Sequence, residues 1–119
     1  MAENNIEIKI TTDENHVPID IHWTAPNEKI NAKSAKAMTL VFWDEESGSA
    51  MNMDLWTKEM SVEEMRHFIC QNMMLLADTF ERSTNDKAHA EALRGFTKEL
   101  AKSINQINVE MPYVMILTP

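Results

Sequence analysis

Glu63, His67 and Cys70 are the residues whose types and spacing come nearest to a chemical site. Four and three positions apart on a helix, they share one face and could supply part of a divalent-metal shell. A full shell needs matching ligands elsewhere, and His16, His22 and His89 are scattered singly along the chain. His67 and Cys70 would act as base and nucleophile only with an orienting third group and an oxyanion hole, and no residues stand out for either. A surface histidine beside a half-buried thiol is the plainer account. Gly48 and Gly95 are the only glycines, so no phosphate-cradling loop exists. The carboxylate pairs Glu45/Glu46 and Glu63/Glu64 fall at a turn and at a helix start, where the second pair favours the positive end of the helix dipole. No metal, cofactor or catalytic residue is assigned, and the chain is read as non-enzymatic.

The totals suit one globular domain of 119 residues, 44% hydrophobic and 25% charged. A chain of this size buries roughly two-thirds of its unfolded surface, enough for a core without staples. Eleven basic against nineteen acidic side chains leave a net charge of −8, which disfavours nucleic acid and anionic lipid surfaces as partners. A lone Cys70 excludes an internal disulfide and a CxxC zinc cage. No apolar run is long enough to cross a bilayer, and Met1–Thr12 lacks the basic start and apolar middle of a signal peptide. A cytoplasmic location without membrane insertion is therefore expected.

The elements follow from periodicity. Ile6, Ile8 and Ile10 alternate with polar residues, as do Val17, Ile19, Ile21 and Trp23 after the turn-like Asp13–His16, so a hairpin is expected. Pro18 cannot donate a ladder hydrogen bond and marks a strand start or a free side. Ala25–Lys36 reads as a polar loop with a helical turn near Asn31–Ala37. Met38–Trp43 is a denser apolar run, suited to a strand contacted on both sides. Ser47-Gly48-Ser49 supplies a hairpin loop, and Met51–Trp56 alternates again.

Ser61 with Glu64 three residues on is a capping box, and Met60 and Met65 are placed to staple the first turn. The first helix, about Val62–Ser83, has a wide apolar arc centred on Met65, Ile69, Met73, Leu76 and Phe80, with Asn72 as a polar intruder. The second, about Asp86–Ile107, has a narrower stripe of Leu93, Phe96, Leu100, Ile104 and Ile107. Gly95 costs this helix about 1 kcal/mol relative to Ala. With Ala88 and Ala92 it either admits a close backbone or is incidental.

The expected fold is α+β: a four-stranded antiparallel meander followed by two helices packed on one face (ββββαα), in a single domain spanning residues 1–119. Residues 1–5 and 109–119 are read as extended tails. The latter is strand-prone and suited to joining a sheet edge in this subunit or a neighbour.

Ten methionines offer adaptable contact surface, and Met74 falls on the polar side of its helix, which suits a partner. If Ile8, Ile21, Phe42 and Met53 face the helices, then Val41, Trp43 and Trp56 face away, among Lys9, His22, Thr24 and Asp54. Two tryptophans outside the core would form an aromatic patch of the kind found at interaction centres. The alternative is cover by the C-terminal tail or the Ala25–Lys36 loop. The candidate protein-interaction residues are thus Val41, Trp43, Asp54, Trp56 and Met74, with homo-oligomerisation the commonest use of such a face.

Asp54-Leu55-Trp56-Thr57-Lys58-Glu59-Met60, with Val62 and Glu64-Met65 following, resembles the gliding motility-associated GldC family. So do Trp23-Thr24-Ala25, Lys36-Ala37-Met38, Trp43-Asp44 and Ala77-Asp78-Thr79-Phe80, in order, over roughly Ile6 to Leu100. The tail after Ile107 departs from the family's short ending. The resemblance implies a small non-enzymatic accessory protein of bacterial gliding machinery, acting beside membrane-anchored components. The matched positions include Trp43, Asp54 and Trp56. A second expectation, on architectural analogy and Ala25-Pro26-Asn27, is a holdase similar to the SecB export chaperones; an uncharacterised enzyme comes third.

Overall fold

Alternating apolar and polar residues build the first strands. The computed structural model describes residues 2–104, and the expectations for Ile107 and the C-terminal tail lie outside them. The chain divides after Ser61 into two units, one of strands and one of helices.

In the first unit, β1 (Glu7–Thr12) and β2 (Pro18–Ala25) form the expected hairpin. Asp13 closes its turn by accepting the backbone N–H groups of Asn15 at 2.8 Å and Val17 at 3.1 Å. Pro18 opens β2, where the register slips and its missing donor is harmless. Ile8, Ile10, Ile21 and Trp23 share one face, with Glu7, Lys9, Asp20 and His22 on the other.

The four-stranded meander is not what forms. The strands make two sheets, β1-β2-β3 and β4-β5. The extra strand β3 (Ile30–Ala35) occupies the segment expected to be a loop, after a short 3-10 turn at Pro26–Glu28. Its sequence, Ile-Asn-Ala-Lys-Ser-Ala, carries little alternation, and pairing with the open edge of β2 supplies the order that side-chain pattern does not. Asn31 and Ala32 together face Thr24 in a bulge, with Ala32 at φ +49° and its N–H donating to Thr24 Oγ1 at 3.0 Å.

After Lys36 the chain leaves that sheet. β4 (Ala37–Asp44) pairs with β5 (Ser49–Trp56) in an unbroken antiparallel register from Ala37↔Trp56 to Asp44↔Ser49. At the tip, Asp44 accepts the Ser47 N–H at 2.8 Å, and Gly48 sits at φ +64°, a left-handed conformation that favours glycine. At the base, the buried Thr57 donates its N–H to the Lys36 carbonyl at 2.8 Å, and Lys58 reaches the Asp13 carboxylate at 2.5 Å. These two contacts tie the exit of β5 to both sheets of the unit.

The second unit is a helical hairpin of α1 (Val62–Thr84) and α2 (Lys87–Ser103). α1 begins directly after Ser61, where the capping signal puts it. Asp86 caps α2 by accepting the His89 N–H at 3.1 Å, and Asn85 makes the turn at φ +58°. The buried seam is made of small residues: Cys70 and Ala77 from α1, and Ala90, Thr97 and Ala101 from α2. Spaced seven apart, with Ala101 four beyond Thr97, they form one stripe per helix and let the backbones approach closely. The larger Ile69, Leu76 and Phe80, expected at the centre of α1's packing, are exposed. At the margin of the seam Arg94 of α2 reaches across to Asp78 and Glu81 of α1.

Candidate functional site

The β4–β5 register decides what the hairpin presents. Met38, Leu40 and Phe42 of β4 pair with Leu55, Met53 and Met51 of β5, so this face is apolar up to the Asp44–Ser49 pair at its tip. The opposite face carries Ala37, Thr39, Val41 and Trp43 beside Trp56, Asp54, Asn52 and Ala50. Val41, Trp43, Asp54 and Trp56 therefore share one face, as alternation requires. Val41 is 57% exposed, Trp43 73% and Trp56 53%. On the apolar face Phe42 is 63% exposed, with Met51 and Met53 exposed beside it.

Two expectations change. The indoles do not touch within one hairpin, because Trp43 pairs at the tip with Ala50 and Trp56 at the base with Ala37. Six residues of strand separate them, about 20 Å at 3.4 Å per residue. Lys9, His22 and Thr24 belong to the other sheet, so only Asp54 accompanies the tryptophans within theirs. What sequence reading missed is the exposure of the apolar face, whose Phe42 and Met53 were expected to face the helices. Met38–Trp43, apolar on both faces, was the available signal, since such a strand calls for cover on two sides.

Met74 lies elsewhere. It is half-buried against Cys70 and Ala101 in the helical seam, with Leu100 and Ile104 nearby, rather than on a polar helix face. The same packing holds the Cys70 thiol, buried and 1% exposed. His67 remains near the surface with Glu63 at 3.5 Å. Among the described residues, no group of three or more His, Cys, Asp and Glu is placed to hold a metal ion.

The strongest electrostatic feature is structural. Arg94, its side chain 17% exposed, meets Asp78 at 2.7 Å, Glu81 at 2.9 Å and Glu91 at 2.8 Å. Hydrogen bonds to Asp78 and then Glu81 hold its guanidinium protonated beyond even its usual range. Three carboxylates sit below their ordinary value. Asp13 is lowered mainly by the Lys58 hydrogen bond, Asp44 by the Ser47 N–H and Asp86 by the His89 N–H. The Ser47 and His89 bonds organise a turn and a helix cap, and the Lys58 bond joins the exit of β5 to the β1–β2 turn. Among the described residues no helix is long and apolar enough to cross a membrane.

Residues 18–106 match the profile of a family described as gliding motility-associated protein GldC-like. No curated protein and no solved structure matches the chain. The match spans β2 through α2 and so contains the whole β4–β5 hairpin.

Proposed function

The chain belongs to the gliding motility-associated GldC-like family, and on that premise we propose that it is a non-enzymatic accessory module of bacterial gliding machinery that docks proteins on its β4–β5 hairpin. The observation that carries this reading is the hairpin itself. A two-stranded ribbon is marginal alone in water, and this one exposes large apolar side chains on both faces. Trp43 and Trp56 are the anchors on one face, Val41 and Asp54 the spacing and polar contacts between them. Aromatic anchors of this type dominate binding energy at protein interfaces. The carboxylate and guanidinium clusters are engaged in turns, caps and the helical seam, which turns attention to exposed apolar surface, and the hairpin is where such surface carries two indoles. The partners in this reading are other motility components, some of them membrane-anchored, met in the cytoplasm.

The test is capture of cross-linked partners in gliding cells by the tagged chain, with Trp43→Ala and Trp56→Ala beside the wild type. Recovery of a defined motility component, reduced about tenfold by either substitution with the thermal midpoint unchanged, is the expected result. Undiminished capture would refute the hairpin as the docking site. Collapse of the fold in either variant would assign the rings to structure instead. The exposed apolar face also fits a holdase of unfolded clients. That reading requires substoichiometric suppression of client aggregation by the purified chain, which an accessory module with one defined partner does not show.

A further inference from the structure

β4 carries a pattern that is complementary to itself, and we infer that two copies of the chain associate by antiparallel pairing of their β4 edges about Leu40. This rests on the hairpin's being an interaction surface and names its occupant as a second copy. Among the described residues β4 pairs only with β5, so its outer edge is open. Proteins blunt such edges with Lys, Pro or a bulge. Ala37–Trp43 contains no charge and no proline, and the β4–β5 ladder runs without a bulge.

The uncharged run is bracketed by Lys36 at one end and Asp44 at the other. A two-fold axis perpendicular to the sheet joins residues on the same face, so its centre falls on a residue. With Leu40 at the centre, Lys36 stands opposite Asp44 of the second copy, and this happens at both ends. Between them Ala37 meets Trp43, Met38 meets Phe42 and Thr39 meets Val41, a bulky side chain facing a small or flexible one at the outer pairs. Ala37 already neighbours Trp56 across the hairpin. Trp43 of the second copy would therefore lie two strand spacings from Trp56, about 10 Å, in place of the 20 Å or so within one hairpin. The pairing yields a four-stranded sheet with an indole cluster at each end of the β4–β4 junction. β5 offers no equivalent: Asp54 lies within it, and no Lys or Arg falls between Ser49 and Trp56.

The test uses the purified full chain. Oxidation of a Leu40→Cys variant is expected to give a covalent dimer, since residues facing across an antiparallel pair lie within disulfide reach. Phe42→Cys is expected to stay uncross-linked, because its two copies would stand about 14 Å apart along the strands. The wild type, with Cys70 buried, supplies the background. In sedimentation, Asp44→Lys should raise the dimer dissociation constant several-fold, and adding Lys36→Glu should recover much of that loss by restoring opposite charges across the junction. Asp44→Lys also removes the turn bond to Ser47, so recovery is judged against that single variant. A monomeric wild type, cross-linking through Phe42→Cys as readily as through Leu40→Cys, or a double variant weaker than Asp44→Lys would each overturn the pairing. A monomer that still captures a motility component would remove this inference and leave the accessory role standing; a Leu40-centred dimer that captures none would do the reverse.

Discussion

Arg94 shows how much of the helical unit rests on one side chain. Its fork meets carboxylates from both helices through two nitrogens held in one plane, a geometry that a single ammonium does not share. Arg94→Ala is expected to lower the thermal midpoint more than truncation of exposed Lys98, and Arg94→Lys to recover only part of the difference. The three lowered carboxylates set the acid behaviour. A carboxyl depressed in the folded state stabilises it at pH values above its unfolded pKa, and that contribution disappears as pH falls through the lower folded value. Stability attributable to Asp13 and Asp86 is therefore complete at neutral pH and lost below their ordinary value of 3.8. Asp13→Asn and Asp86→Asn should lower the midpoint at pH 7 and flatten its decline below pH 4 relative to wild type, as read by circular dichroism melts across pH.

At the scale of elements, the α1–α2 seam and the β4–β5 hairpin behave oppositely. The seam is close-packed around small residues, with Ala77 fully buried. Ala77→Leu is expected to destabilise by about 1–3 kcal/mol through overpacking, measured by denaturant unfolding. Gly95 lies outside the seam, and a Cβ there would meet nothing within 4 Å. Of the two accounts of this glycine, the incidental one fits, and Gly95→Ala should stabilise by about 1 kcal/mol in the same measurement. The hairpin exposes what the seam excludes. Its pattern was legible as alternation, whereas its isolation from β1-β2-β3 was not, because the bend at Lys36 follows from how β3 is recruited to β2.

For the whole molecule, the net charge of −8 and the family point the same way. In the proposed reading partners are proteins met through apolar and aromatic surface, with charge contributing solubility. The purified chain is expected not to co-sediment with duplex DNA or anionic vesicles at about 0.1 M salt, where repulsion between like charges still acts at contact distances. Binding to either would point to a local basic patch strong enough to offset the net charge of −8.

The sequence alone determined whatever depends on near neighbours. Period-two alternation put Val41, Trp43, Asp54 and Trp56 on one strand face, turn residues marked both hairpins, and the signal at Ser61 located the start of α1. Tertiary structure decided which strands met and which helix faces closed. β3 has almost no pattern of its own, the seam took Cys70, Met74 and Ala77 and left Ile69, Leu76 and Phe80 exposed, and the two tryptophans came to opposite ends of one ribbon. The division has a physical cause. Backbone geometry fixes the direction of each side chain within a few residues, whereas pairing and close packing depend on partners far along the chain that no local period records.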